Sequence, residues 1–543
     1  MPVILRRSTS IPTSAPNPNS GGDPFDLWFA ITGTEVSLPV AQSLPDLSRT
    51  LQHHFDQIQD DWLSLAREIG ESARGGLSHV ATGAAYINDF GLMLAWTALV
   101  KSLVRNDRRI LVVCDDPWMF RHLARIESID AGTPPPLWPL TGRLFLRGFA
   151  ARTMLVLRLV WAATVLASTR ASARKGGPAI LVYGHPGSDA LGKDAYFGTL
   201  MSEILGLGRA LHTDCMVKRA QDLCRDGRSY SLHAWGSRTV AATLVFLRWR
   251  LPRQLLDGDQ HWLLRRAAAL ENSGGALAMT RWQSHCQDRW LADMRPSTVA
   301  WPWENHPWER QFVRSARCRD VETVGYQHAV IGRHQFNFSP ASNPDGTKSL
   351  PDTIICNGAA YRAQLLGLGH EAERLRVGGA FRVSAESSAF YDPDGPVYIA
   401  LSSIQPISRQ MLAVAAMPGL ADTRFVVKDH PLYPIAFSET GMLERTALTI
   451  PESAGLRAVL YSTGTTGLEG LLAGVPTYRF LPSDRIAPDI LPDGIKVPEL
   501  PSDEVESALL SPEPPPPLDW TKIMAPVDMD IWRSTLVPRG ALC

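Results

Sequence analysis

The chain has 543 residues, 45% of them apolar and 20% charged, with 54 basic side chains against 54 acidic ones. That length exceeds one ordinary domain and suits two α/β domains with a connecting segment. The balanced charge offers no net field to attract nucleic acid, so none is expected as a partner. Seven scattered cysteines (Cys114, Cys215, Cys224, Cys286, Cys318, Cys356 and Cys543) form no CxxC pair and no regular framework, which fits a reducing cytoplasm without a zinc site.

Residues 1–24 include RRSTSIPTSAPNPNSGGDP and are expected to be a disordered tail. No apolar core follows the early arginines, so no signal peptide is expected. Residues 25–32 (FDLWFAIT) read as the first strand, left at Gly33. Residues 44–69 and 86–104 carry apolar side chains at helical spacing, the first near a cap signal at Ser43 to Asp46. Residues 109–114 (RILVVC) read as a buried strand, followed by Asp115-Asp116-Pro117 and the helix-like WMFRHLARIE. Strand, turn and helix in that order describe a Rossmann-like layer.

Residues 143–174 mix apolar and arginine side chains. Their longest charge-free run, residues 159–169, has eleven residues, short of the roughly twenty that a membrane span needs. Two readings remain: a helix lying in a membrane interface with guanidinium groups snorkelling outward, or a buried helix whose arginine stems pack on neighbours. The second is favoured because the arginines do not all share one face at 100° per residue. Residues 240–256 have the same character and allow a second interfacial helix.

Residues 179–183 (AILVY) read as a strand running into a loop with His185 and Asp189. Asp189 is a candidate base at a strand end, or only a turn cap. Residues 297–301 end in PWENHPWER, and residues 323–326 end in Gln327-His328. Glu304, beside two tryptophans, is a candidate general base with a raised pKa, or a salt-bridge partner of Arg310. His328 is either ligand-facing or a satisfied core histidine.

The second half repeats strand, turn and helix: residues 353–356, 375–377 and 397–401, the last ending in Ser402-Ser403. Residues 424–427 then lead to Lys428-Asp429-His430-Pro431, a cation and a titratable donor where a strand ends. Residues 458–461 lead to Ser462, Thr463, Gly464, Thr465, Thr466 and Gly467 before a helix at residues 468–473. Hydroxyls, glycines and free N–H groups in that order suit an anion.

The two signatures together resemble the donor half of GT-B glycosyltransferases, especially the bacterial surface-polysaccharide group with sialyl-, polysialyl- and Kdo-transferases. His430-Pro431 match that group's HP motif, and Ser462-Thr463 or Thr465-Thr466 its Ser/Thr motif. The resemblance implies that both contact the nucleotide phosphate and that Glu469 reaches a ribose hydroxyl. PWENxPWER with GYQHxxI is similar to surface-carbohydrate biosynthesis proteins of the same superfamily, in which comparable Glu and His residues line an interdomain cleft. The expectation is therefore an α/β, GT-B-like fold of two Rossmann-like domains facing a central cleft. Residues 25–320 would bind a glycan or lipid-linked glycan acceptor. Residues 321–480 would bind a nucleotide sugar, favoured as CMP-activated. Residues 481–543 would form a Pro-rich connector and a C-terminal helix.

In this scheme Glu304, Asp189 or His328 takes the acceptor proton. Lys428, His430, Pro431, Ser402, Ser403 and residues 462–466 hold the donor, with His430 also a candidate proton donor. No DxD metal motif is evident at the strand ends named here, so neither metal nor cofactor is expected. The surroundings would be cytoplasmic, with peripheral inner-membrane contact allowed. A CDP-alditol phosphotransferase, a UDP-sugar 2-epimerase and a non-enzymatic member of a membrane complex remain as alternatives.

Overall fold

The computed structural model describes residues 2–11, 25–85, 88–105, 107–256, 258–383, 386–431 and 433–537. Three parallel sheets follow one another along the chain. The first contains β1 (Val3–Arg6), β2 (Leu27–Ala30), β3 (Ile110–Val113) and β4 (Ile129–Ala131), in the order β2-β3-β1-β4. Val3, Ile4 and Leu5 are buried between β3 and β4, so the tail expected over residues 1–24 is corrected here. A run of apolar side chains buried on both faces is what an inner parallel strand requires. Residues 12–24 of that expectation lie outside the described residues, as does Tyr86 at the head of the helix expected over residues 86–104.

The helical stretch expected over residues 44–69 is two helices, Leu47–Gln57 and Gln59–Glu71, broken at Ile58. With helix Phe90–Leu103 they pack Phe55, Trp62 and Trp96 into the core of this first unit.

The second sheet contains β5 (Ala179–Val182), β6 (Gly208–Leu211), β7 (Ser229–Ser231), β8 (Thr298–Pro302), β9 (Glu322–Gln327), β10 (Thr353–Cys356) and β11 (Leu375–Val377). Its order is β11-β10-β9-β8-β5-β6-β7. A boundary at residues 320/321 would cut between β8 and β9, which are paired over five residues. The unit instead runs through β11.

A short pair, β12 (Phe390–Tyr391) with β16 (Gly455–Leu456), flanks the third sheet. That sheet contains β13 (Val397–Ala400), β14 (Phe425–Lys428), β15 (Leu443–Arg445), β17 (Ala458–Tyr461), β18 (Thr477–Leu481) and β19 (Glu499–Pro501), in the order β15-β14-β13-β17-β18-β19. β19 lies in the stretch expected to be a connector. It pairs with β18, and helix Val505–Leu510 follows it into the same core. The second and third sheets are thus two Rossmann-like units of a GT-B-like fold, preceded by an additional small α/β unit.

After the third sheet the chain returns to the second unit. Helix Met529–Leu536 sets Trp532 against Phe197, Tyr326 and Phe381, with ring centroids 5.7, 5.2 and 5.4 Å away, and its Nε1 donates to the Gly378 carbonyl at 3.0 Å. Gly358 and Gly379 are required there, because a Cβ at either would collide with the returning backbone at Ile523 or Pro526.

A junction ties all three units together. His334 Nε2, from the loop after β9, donates to Asp56 Oδ1 of the first unit at 2.6 Å. The Asp489 amide of the third unit donates to His334 Nδ1 at 2.7 Å. Arg333 reaches both carboxylates, at 3.1 and 3.2 Å. Nearby, Arg49 grips Glu504 through two nitrogens, each at 2.6 Å.

Candidate active site

In an open parallel sheet the ligand crevice lies beyond the carboxyl ends of the strands, where the strand order reverses. In the second sheet the reversal falls between β5 and β8. The loop after β5 brings Tyr183, His185 and Tyr196 there, the end of β8 brings Glu304 and His306, and neighbouring β9 ends at His328. In the third sheet it falls between β13 and β17, whose ends carry Ser402 and Ser462 to Thr466.

The Glu304 segment is held from behind. The carboxylate of Glu309, buried in helix Pro307–Arg317, accepts from the amides of Glu304 and Asn305 and from Trp301 Nε1, each at 3.0 Å. Asn305 adopts φ 55°, and its Nδ2 donates to the Asn337 carbonyl at 2.7 Å. Burial raises the Glu309 carboxyl to about 7.

Glu304 itself is turned outward, its side chain 37% exposed. Its Oε2 lies 2.7 Å from His306 Nε2 and its Oε1 lies 3.5 Å from His328 Nε2. The raised pKa expected beside the tryptophans is not found. Burial does oppose ionisation, but the His306 hydrogen bond and the charges of His306, His328 and Arg382 outweigh it and hold Glu304 down to about 2. Nor does Glu304 pair with Arg310, which is committed to Asn305 and Ser342.

His328 is buried, and burial lowers its pKa to about 4 against the opposing pull of Glu304. The ring is therefore a neutral imidazole beside a carboxylate, and Tyr196 packs on it edge to face at 5.0 Å. His306 behaves oppositely: burial would lower it, but Glu304 wins and raises it.

Asp189 is not part of this cluster. Its carboxylate accepts from the amides of Leu191 and Lys193 at 2.8 and 3.0 Å and shapes a turn. What its loop contributes to the cluster is Tyr196 and His185, 5.7 Å apart.

On the opposite sheet, β13 pairs Ala400 with Lys428 of β14 and with Tyr461 of β17, so the ends of all three strands are level. Ser402 Oγ and Thr463 Oγ1 are 3.0 Å apart and buried. Gly464 has φ 138°, a conformation that favours glycine. Among the described residues the buried Ser462 Oγ makes no hydrogen bond. Ser403, Thr465 and Thr466 are half-buried beside them. Burial raises Glu469, with Arg382 and a Thr465 hydrogen bond offsetting only part of the effect.

Lys428 and His430 lie on the same edge, one strand beyond β13. Lys428 Nζ donates to the Ala447 carbonyl. The His430 ring lies 5.3 Å from Tyr433, its pKa lowered by burial, and Pro431 is exposed.

Arg382 joins the two sheets. It follows β11 in the segment that leads to the third unit, and its guanidinium sits 5.4 Å over the Tyr196 ring. Its charge acts on Glu304 and His328 on one side and on Glu469 on the other. Sequence reasoning assigned no role to Arg382, His306 or Tyr196. His306 stands inside the PWENHPWER motif and Arg382 just past a Gly-Gly strand end, whereas Tyr196 gives no local signal.

No protein-family model matches the sequence, and no curated protein matches it. Among solved structures, UDP-N-acetylglucosamine 2-epimerase from Rickettsia bellii is similar over 56% of this chain and 79% of its own, at 11% identity and a TM-score of 0.31. UDP-GlcNAc 2-epimerase from Neisseria meningitidis, bound to UDP-GlcNAc, is similar over 55% and 82%, at 10% identity and 0.31. Arabidopsis thaliana UGT89C1 complexed with UDP-L-rhamnose is similar over 62% and 90%, at 13% identity and 0.34.

Proposed function

We propose that the chain is a nucleotide-sugar enzyme. More specifically, we read it as a metal-independent glycosyltransferase of surface-polysaccharide assembly, moving a sugar from a CMP-activated acidic donor to a glycan or lipid-linked glycan in the cytoplasm. The observation that carries this is the pairing of two strand-reversal points. One bears His328 with Nε2 3.5 Å from the Glu304 carboxylate and Arg382 over the adjoining Tyr196 ring, and the other bears the Ser402–Thr463 hydroxyl pair and the Gly464 turn.

In the proposed reaction His328 takes the proton of the acceptor hydroxyl as that oxygen forms its bond to the anomeric carbon. Glu304 steadies the imidazolium that results. The bond from the anomeric carbon to the donor phosphate breaks, and its electron pair leaves on the nucleotide. Arg382, the hydroxyls of Ser402 and Ser462 to Thr466, and the N–H groups of that turn meet the departing charge. His430 and Lys428 reach the same edge from the adjoining strand. A single phosphate suits so compact a donor set, which favours CMP over diphosphate donors.

A second reading draws on Glu469, kept high by burial, across the cleft from the low-lying Glu304. An acid and a base on opposite sides of one ligand would also serve a 2-epimerase acting on a nucleotide sugar alone.

The test is thermal stabilisation of the purified protein by CMP, CDP, UMP, UDP and GDP, followed by turnover with and without an acceptor glycan. At a hundred times Kd a ligand stabilises by about 2.7 kcal/mol, enough to raise the melting temperature visibly. A shift with CMP that Ser462→Ala or Arg382→Ala abolishes supports the donor assignment. A shift confined to UDP, with solvent-proton exchange into the sugar in the absence of acceptor, replaces the transferase by the epimerase. No shift with any nucleotide overturns both.

A further inference from the structure

Helix Leu137–Val165 has 29 residues, long and apolar enough to cross a membrane. It does not stand free to do so. Leu144, Gly148, Arg152, Val156, Leu159 and Ala163 make an inward stripe at three- and four-residue spacing that is packed into the protein. Arg152 is turned inside and donates to the carbonyls of Val245 and Asn272 at 3.0 and 2.7 Å. The buried-helix expectation thus holds for this stripe and fails for the rest. The outer face exposes Leu146 (68%), Met154, Leu157 and Trp161, Trp138 is exposed (84%) at the start of the helix, and the neighbouring turn exposes Phe246 (78%).

Charge decides what covers this face. Arg143, Arg147 and Arg158 lie on it, exposed, and Arg248 borders it beside Phe145. Residues 137–175 and 238–253 contain no Asp or Glu at all. A cavity of about 380 Å³ opens at its rim beside Phe145, with Arg265 and Arg248 in its wall and the Arg248 guanidinium 4.8 Å over the Phe145 ring. A second copy of the chain docked about a two-fold axis would bring these arginines against one another. An anionic lipid surface would neutralise them while taking up the tryptophans and leucines between them.

We propose that this face is the docking surface for an anionic membrane, with the helix lying in the plane of the interface and the Arg248–Arg265 cavity at lipid-headgroup level. Docking at this face is independent of the chemistry of the cleft.

The full chain is tested by co-sedimentation with phosphatidylcholine vesicles with and without phosphatidylglycerol. Sedimentation is expected only with the anionic vesicles and should weaken with added salt. Replacing Arg143, Arg147 and Arg158 together by Glu should weaken it roughly a hundredfold or more. Leu146→Glu with Trp161→Glu should abolish it by a separate route, and both variants should melt like the parent because every changed side chain is exposed. Equal binding to neutral vesicles, no binding to either, or unchanged binding by both variants overturns the proposal. Dimerisation in light scattering that Leu146→Glu abolishes assigns the face to a second copy instead.

Discussion

His328 and Glu304 differ in charge because of what each touches. The imidazole is enclosed by Tyr196 and Tyr326 and stays neutral, while the carboxylate faces a protonatable His306 and stays ionised. The signs of their pH linkage follow. His328 has a folded pKa below its ordinary 6.5, so the unfolded chain takes up the proton first, and stability falls as pH drops from about 6.5 to about 4. Glu304 contributes stability above its ordinary value of about 4.5, lost as pH falls towards 2. His306, raised, contributes below about 6.5 and loses that contribution as pH rises through its folded value. Melting temperature followed against pH should therefore decline on the acid side of neutrality, and less steeply in His328→Gln. That variant should lower kcat about 10²- to 10⁴-fold, and the acid limb of kcat/KM for the parent should fall near pH 4 rather than 6.5. An acid limb near 6.5 would remove His328 from the base role.

Strand β1 is the element least expected from the sequence. Four residues near Ser- and Pro-rich sequence give little periodicity, and only pairing with β3 and β4 shows that Val3, Ile4 and Leu5 belong to a core. Leu5→Ala should cost about 2–5 kcal/mol in urea unfolding, a value that a tail residue could not produce. Strands of the same length at 110–113, 179–182, 353–356 and 458–461 were legible, because each runs into a turn and then a helix-like stretch, an order that β1 lacks. β19 was not, since Glu499-Leu500-Pro501 stands in a Pro-rich stretch and becomes a strand only at the sheet edge. The site was legible to the same degree. Glu304, His328 and the 462–466 turn sit at strand ends, which pattern alone reveals. Their meeting with Arg382 and Tyr196 depends on strand order, and Asp189 stayed open between two readings because a carboxylate in a turn looks the same in sequence whether it caps or reacts.

At the scale of the molecule, the first unit bridges the other two. The Asp56–His334–Asp489 chain runs through all three, and burial working against the charge on Asp56 is overcome by His334 and Arg333, which hold its carboxyl low. Asp56→Ala should leave the buried His334 without its acceptor and lower stability by about 1–3 kcal/mol. Hydrogen exchange should then quicken at residues 333–336 and 486–490 together, although they belong to different units. At about 1 M salt, where screening reaches about 3 Å, the parent should exchange more like the variant. Quickening confined to one unit would show that the junction does not couple them.

Trp532 carries a consequence for how the chain is made. It completes an aromatic cluster whose other members, Phe197, Tyr326 and Phe381, all precede it, and its hydrogen-bond acceptor Gly378 lies 154 residues earlier. At roughly 5–20 residues per second, a ribosome needs on the order of ten to thirty seconds to cover that distance. For that interval the nascent second unit waits with three rings uncovered, a sticky patch that chaperones can hold and that slow translation would leave exposed longest.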